Sequence, residues 1–267
     1  MNEIFEILTY PFAYRALIAG SMISVCASLL GVILVLKHYS LIGHGLSEIG
    51  FASLSLSSAM KIQPIYVAPP SVIAASFIIM YVSRKYRTAG DTAIAIASSA
   101  ALSLGIVISS VSGTSSSMSS YLFGSVLAVS EADLWLSLIL SVIVILSFVI
   151  LYNRLFLITY NEDYAKSLGI NTALYQFIIS ALTSLVVVLG MRMTGTLLIS
   201  GVIILPAVTA KIIARGFRSL VIISGTVSII AFISGLLASF VFDIPAGAGV
   251  ILANAAILIF VKILVSW

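Results

Sequence analysis

Long apolar runs separated by short polar connections fill most of the chain and decide which elements are predicted. The runs do not alternate polar and apolar positions with a period of two, as the strands of a membrane barrel would. Most are close to the roughly 20 residues that a helix needs to cross a membrane. The pattern therefore predicts an all-α transmembrane bundle of eight or nine spans, forming one domain over residues 1–267. The predicted spans are 13–36, 44–60, 65–84, 90–111, 131–151, 173–191, 196–214, 219–241 and 246–266.

The second predicted span, residues 44–60, differs from the others because it is short and rich in serine. A helix of this length and composition is better suited to burial inside protein than to contact with lipid. Whether it crosses the membrane decides between eight spans and nine.

Composition indicates an integral, multi-pass membrane protein in contact with lipid. Of its 267 residues, 61% are hydrophobic and only 8% are charged, whereas soluble domains have roughly 25% charged residues. The net charge of +4 comes from basic residues in short loops, which indicate topology rather than a nucleic-acid partner. Cys26 is the only cysteine, so neither a disulfide framework nor a CxxC metal site is available.

The distribution of basic residues predicts the orientation, because cytoplasmic loops of membrane proteins are enriched in Lys and Arg. The connection between the fourth and fifth predicted spans has no basic residue but contains Glu131 and Asp133, so we expect it to face outward. The basic residues expected to mark cytoplasmic loops are Arg84, Lys85 and Arg87, then Arg154 and Lys166, then Lys211, Arg215 and Arg218.

The cytoplasmic loop after the fifth span predicts a short helix over residues 162–168. Asn161 is a suitable N-cap, acidic residues follow in the first turn where the helix dipole favours them, and Gly169 is placed to end the helix. Two interpretations are open: the segment is an ordered loop without a binding role, or it is a docking helix for a cytoplasmic partner. No GxxxxGK[ST] motif is present, so ATP hydrolysis would have to come from another subunit, and we do not expect an enzyme. The candidate docking residues are Asn161, Glu162, Asp163, Ala165, Lys166, Leu168 and Gly169.

Two side chains able to bind a metal, His44 and Glu48, stand four residues apart within the apolar segment 40–53. On a helix this spacing places them on one face, and imidazole nitrogen and carboxylate oxygen are ligands of zinc, manganese and ferrous iron. Two interpretations are open, a metal path and a structural hydrogen-bonded pair near the inner membrane edge. The cost of an ionisable group inside a membrane favours the path, most of all for Glu48. The small residues that would let neighbouring helices approach are Gly43, Gly45, Ser47 and Gly50.

Weaker polar features occur towards the end of the chain. Gly201, Pro206 and Thr209 suggest either an interrupted helix whose freed carbonyls face a cavity or a plain kink. Asp243 is expected to cap the last span or to lie at the outer mouth, and Asp91 to cap the fourth span.

Taken in order, several segments resemble the membrane permease of metal-ion ABC transporters, the group that carries manganese, zinc or ferrous iron. The resemblance covers nearly the whole chain. Each segment alone is a weak pattern, but together and at this spacing they are specific. The segments are PFAYRALIAG, YSLIGHGLSEIGFASLSL, YLFGSVLAVS, NEDYAKSLGI, GTLLISGVIILPAVTA and FDIPAGAGVIL.

The resemblance implies a homodimer of permeases with two cytoplasmic ATPase subunits, supplied from outside by a metal-binding solute protein. Family members usually place an Asp and a His four residues apart along the metal path. The matching positions here hold His44 and Glu48, so the chemistry is one nitrogen and one oxygen ligand in reversed order.

These observations predict a permease subunit for ATP-driven import of a divalent metal ion, which is cargo rather than a cofactor of the chain. One alternative keeps the ABC architecture but carries a metal chelate such as a cobalamin or a siderophore. Another is a self-sufficient secondary cation transporter or channel with Glu48 as its ion site.

Overall fold

The computed structural model describes residues 11–39, 41–86, 90–114, 122, 124 and 130–266. These ranges form ten α-helices and no strand, which confirms the all-α prediction. Nine of the helices correspond to the nine predicted spans, and the tenth is the short helix α6. The helices are α1 Pro11–Leu36, α2 Ile42–Ala59, α3 Pro64–Tyr86, α4 Gly90–Val111, α5 Glu131–Tyr160, α6 Glu162–Ser167, α7 Thr172–Thr194, α8 Ile199–Ile213, α9 Phe217–Phe242 and α10 Ala246–Ser266.

Six of the described helices are long and apolar enough to cross a membrane, namely α1, α4, α5, α7, α9 and α10. Two shorter apolar segments lie in α3 and α8. With α2 packed among these helices, the architecture agrees with a multi-pass membrane protein of eight or nine spans.

Helix α1 is central to the bundle and packs against α5, α7, α8 and α9. Its small residues allow the close approach that helix packing in membranes requires. A Cβ atom added to Gly31 would lie 1.9 Å from the carbonyl oxygen of Ile203 in α8. Against α9, the Ser228 hydroxyl donates to the backbone oxygen of Ser24 at 2.7 Å.

Helix α2 is buried over most of its length by α3, α4, α7 and α8. Its serines donate to carbonyls within the helix, as Ser55 does to Phe51 at 3.1 Å, so they leave few unsatisfied donors in the interior. This burial confirms that α2 is surrounded by protein rather than by lipid.

Helix α5 is longer than the predicted span 131–151, because it continues to Tyr160. Arg154, which was expected to flank a loop, lies inside this helix and donates to the hydroxyl of Tyr175 in α7. The Arg154 guanidinium is therefore bound by a side chain of α7, and its charge does not end α5.

Several predictions lie outside the described residues. These are Arg87, the side chains of Arg84, Lys85 and Asp91, and most of the outward connection between α4 and α5.

Candidate functional site

His44 and Glu48 face each other on the first two turns of α2, with Nε2 and Oε1 separated by 3.2 Å. Two ligand atoms about 2.1 Å from one ion lie roughly 3.0–3.4 Å apart when the angle between them is between octahedral and tetrahedral. The pair is thus already spaced to hold one ion. The same distance is compatible with a hydrogen bond between the two side chains.

The two side chains differ in exposure. Glu48 is 6% exposed, whereas the His44 side chain is 40% exposed. Oxygen Oε2 of Glu48 is buried and accepts no hydrogen bond from any described residue. A buried carboxylate oxygen without a partner is costly, and a cation bound beside it would offset that cost. Glu48 therefore has the character of an inner ligand, and His44 that of the more accessible one.

Local structure fixes this pair on a rigid helix. The Ser47 hydroxyl donates to the carbonyl of His44 at 2.7 Å. Three glycines bring neighbouring helices onto the same part of α2, which confirms the predicted close approach. An added Cβ would lie 3.0 Å from Ile203 at Gly43, 2.5 Å from Ile94 at Gly45 and 2.8 Å from Met191 at Gly50.

One copy of the chain supplies few metal ligands. Within the described ranges, no group of three or more His, Cys, Asp or Glu side chains is arranged to hold a metal ion. Structural zinc sites use four protein ligands and catalytic sites three. The pair alone is thus suited to transient rather than tight binding.

Helix α6 begins and ends where the sequence predicts. The Asn161 side chain accepts a hydrogen bond from the Tyr164 backbone at 2.9 Å. Gly169 has a φ of +77°, and the Ile170 N–H closes the helix end on the Ala165 carbonyl at 3.1 Å. Ala165 is fully buried against the bundle, whereas Tyr164 and Leu168 are exposed.

The sequence predicts only that Glu162 interacts with the helix dipole, but in the structure it also contacts other side chains. It accepts a hydrogen bond from Gln176 at 2.7 Å and pairs with Lys37 at 3.7 Å and with Lys166 at 3.2 Å. Its hydrogen bond and charge raise the pKa of Lys166 above the ordinary value. Spacing along the chain could not reveal the contacts with Lys37 and Gln176, because they join distant segments.

Comparison with known proteins decides the family. The sequence model of the ABC 3 transport family matches residues 9–265.

The chain belongs to the ABC 3 transport family.

Relatives of this ABC 3 permease include membrane subunits of metal importers. The manganese import system permease protein ScaB of Streptococcus gordonii is 31% identical over 93% of this chain and 89% of its own length. The manganese transport system membrane protein MntC of Listeria monocytogenes is 29% identical over 97% of this chain and 92% of its own length. The solved structure of PsaBC from Streptococcus pneumoniae in complex with Fab has a TM-score of 0.88 and 28% identity, covering 97% of this chain and 94% of that one. The chain is therefore a multi-pass membrane permease subunit rather than an enzyme.

Ion pairs at the opposite end of the bundle from α6 are a second feature that sequence reasoning missed. Arg192 at the end of α7 pairs with Asp133 at the start of α5, and Arg15 of α1 pairs with Glu131 at 3.6 Å. Asp133 also completes a capping box with Ser130. The spacing of Ser130 and Asp133 could have indicated the cap, but nothing local indicated the arginine partners.

The remaining candidate residues lie in α8 and at the end of α9, and their surroundings differ in part from those that the sequence predicts. Helix α8 is continuous through Pro206, so of the two expectations, an interrupted helix and a plain kink, the interrupted helix is not observed. In the same helix Gly201 packs against Ile251, and the Thr209 hydroxyl donates to the Leu205 carbonyl at 2.8 Å. Asp243 does not cap the last span, because it ends α9 in a left-handed conformation with φ of +52°.

Proposed function

We propose that the permease forms the ion path of an ATP-driven importer of divalent metal ions, with His44 and Glu48 as successive ligands. The observation that carries the proposal is the buried Oε2 of Glu48, which has no hydrogen-bond partner in the part of the chain that the structure describes, beside an accessible imidazole. A divalent cation would satisfy this oxygen while the His44 nitrogen binds the same ion from the more exposed side. A cargo that offers neither positive charge nor a hydrogen-bond donor would leave it unsatisfied.

Manganese is the first cargo we propose, since relatives that match nearly the whole chain are named for manganese. Carboxylate ligands suit manganese, and imidazole also suits zinc and ferrous iron. Relative to the usual Asp and His of the family, the ligand order is reversed and the carboxylate is one methylene longer. The two donor atoms nevertheless lie within reach of one ion. Zinc and iron are therefore the competing cargoes to test.

A second copy of the permease would complete the path. Two chains related by a twofold axis would present two nitrogen and two oxygen ligands to an ion on that axis. Four ligands divided between two movable subunits would bind the ion while the path is closed and release it when the subunits separate. A tighter site within one chain would slow release.

Helix α6 is proposed as the docking element for a cytoplasmic ATPase. It is capped at both ends, it is anchored by the buried Ala165, and it exposes Tyr164 and Leu168 as apolar contacts. ATP binding and hydrolysis in the partner would move α6 and alternate the access of the path. The exposed Asp243 belongs to the turn between α9 and α10, which we place at the outer mouth near a metal-binding solute protein. Gly201, Pro206 and Thr209 of α8 would line the same path or support it.

The deciding experiment is radioactive manganese uptake into vesicles that contain the permease, its ATPase and its solute-binding protein. The variants His44→Asn and Glu48→Gln should each lower uptake at least tenfold, which corresponds to the loss of about 1.4 kcal/mol of ion stabilisation. Basal ATP hydrolysis should persist. Zinc and ferrous iron are offered in parallel as competitors, which identifies the preferred ion.

His38→Asn is the matched control, because it removes the other histidine of the chain from an exposed position. Asparagine tolerates the left-handed conformation of residue 38, whose φ is +59°. Uptake that survives both site substitutions would reject the path, and a metal chelate would then be the better cargo.

A further inference from the structure

We propose that Lys37 and Glu162 form a partly buried ionic link that carries movement of α6 to the turn of α2 that bears His44. The link rests on the proposed function, because it takes α6 as the element that the ATPase moves. Lys37 and Glu162 are thus positioning residues, which contact neither the metal ion nor ATP.

The Glu162 carboxylate joins three parts of the bundle. Oε2 accepts the Gln176 hydrogen bond from α7 and faces the Lys37 ammonium at the end of α1, at 2.7 and 3.7 Å respectively. Oε1 lies 3.2 Å from Lys166 within α6. The neighbouring Asp163 side chain is 96% exposed and pairs only locally with Lys166 among the described residues. Of the two acids in the first turn of α6, Glu162 is therefore the one that connects the helix to the bundle.

The Lys37 side chain is only 10% exposed, although it carries a charge. A buried ammonium is stable only when an anion and hydrogen-bond acceptors surround it, and loss of one partner leaves the other charge uncompensated. Movement of α6 that carried Glu162 away would therefore require Lys37 to follow. The ion pair thereby becomes a mechanical connection between α6 and α1.

Backbone hydrogen bonds join the described residues on either side of residue 40 between α1 and α2. The Tyr39 N–H donates to Leu34 at 2.9 Å, and the Ile42 N–H, at the start of α2, donates to Tyr39 at 3.1 Å. His38 has the left-handed conformation that this type of helix end requires. Lys37 and His44 are only seven positions apart in the chain. A shift at Lys37 is consequently passed to the first turn of α2 rather than absorbed by a loose loop.

A small cavity lies beside the link. Lys37, Tyr39 and Gln176 line one part of it, and the rest is apolar. The apolar lining comes from Ile33, Leu34, Ile42, Ile79, Ile94 and Ile179, with Ser180. Residues from α1, α2, α3, α4 and α7 meet there without filling the space, so the packing beside Lys37 is locally incomplete.

The test measures manganese ions imported per ATP hydrolysed, using the permease in vesicles with its ATPase and solute-binding protein. Lys37→Met should lower this ratio at least tenfold, while ATP hydrolysis stays within twofold of wild type. Glu162→Gln should lower the ratio to a similar degree when ATP hydrolysis is measured per copy of ATPase bound to the permease. Glu162→Gln keeps an oxygen acceptor for Gln176 and removes only the charge, so it remains informative if Lys37→Met does not assemble. Lys37→Arg keeps the charge and should retain at least half of the ratio.

Lys262→Met is the matched control, because it removes an equally charged but exposed side chain near the end of α10. It should leave the ratio unchanged. A purely structural role of the ion pair would lower the amount of assembled transporter, and with it uptake and ATP hydrolysis in proportion. An unchanged ratio in both Lys37→Met and Glu162→Gln would overturn the inference.

A separate experiment distinguishes failure of the link between Lys37 and Glu162 from failure of the proposed function. Tyr164→Ala and Leu168→Ala alter the exposed face of α6 and should reduce co-purification of the ATPase. If they do so while the link variants keep the wild-type ratio, α6 is the docking helix and only the link is wrong. If the ATPase still binds and manganese uptake is undiminished, the docking role of α6 is wrong and the link falls with it.

Discussion

Substitution of Gly31 by alanine tests whether the contact between α1 and α8 holds α2, the helix that carries His44 and Glu48, in place. The new Cβ would lie 1.9 Å from the carbonyl oxygen of Ile203, where ordinary contact begins at 3.4 Å. Both atoms are fixed to helical backbone, so neither can turn aside as a flexible side chain would. The two helices must separate by about 1.5 Å, a gap that forfeits half or more of the dispersion energy at the contact.

The expected destabilisation is about 3 kcal/mol, the upper end of the range for overpacked interiors, because backbone rather than side chain must move. For a chain of this size the melting temperature should fall by roughly 6–12 °C, since 1 kcal/mol shifts it by about 2–4 °C. Ile203 also contacts Gly43 through its Cδ1 atom, at 3.0 Å from an added Cβ. Displacement of α8 should therefore disturb the start of α2, and manganese uptake should fall together with stability.

Gly225→Ala is the control, because no atom lies within 4 Å of an added Cβ at this position in α9. Alanine favours a helix by up to about 1 kcal/mol over glycine, so this variant should melt at the same temperature or slightly higher. Thermal unfolding of the detergent-solubilised permease, followed by circular dichroism, provides the measurement. A Gly31→Ala protein that melts within 2 °C of the Gly225→Ala protein would refute the packing argument.

Two further predictions concern a helix cap and an interhelical hydrogen bond. Asn161→Ala removes the N-cap of α6 and should cost about 1 kcal/mol of helix stability, which is measured as faster amide hydrogen exchange in α6. Asn161→Ser keeps a capping side chain and should keep most of the protection from exchange. Equal exchange in both variants would contradict the capping role of Asn161. Ser228→Ala removes the donor to Ser24 and should cost about 0.6 kcal/mol, a fall of roughly 1–2 °C in melting temperature. Ser234→Ala is the control, because the Ser234 hydroxyl donates to carbonyls of its own helix, and this variant should not change the melting temperature. An equal fall in the control would contradict the role of Ser228 in joining α9 to α1.

Features that depend on local spacing could be predicted from the sequence. The caps of α6 follow from Asn161 and Gly169, which act on residues within one turn, and the approach of His44 to Glu48 follows from their separation by four residues. The burial of α2 was predictable because its short, serine-rich composition is unsuited to lipid. The span rule failed at the end of α5, because apolar length measures the membrane crossing and not the helix that continues beyond it.

Features that depend on distant segments could not be predicted. Lys37 lies at the end of an apolar run and has the pattern of a topology signal, yet its ammonium is buried against Glu162. Arg192 likewise finds Asp133 only after α5 and α7 have packed side by side. For Pro206 the sequence left an interrupted helix and a plain kink open, because only packing against neighbouring helices decides whether a proline is accommodated inside a continuous α8.

The central position of α1 has a consequence for biosynthesis. This helix is the first of the described helices to be synthesised, but α8 and α9 are among its main partners and are made near the end of the chain. Until they insert, the Ser24 and Gly31 surface of α1 faces lipid or the insertion machinery. Chains truncated before α9 should thus display an unpacked small-residue surface, by which membrane proteases can recognise incomplete permeases and remove them.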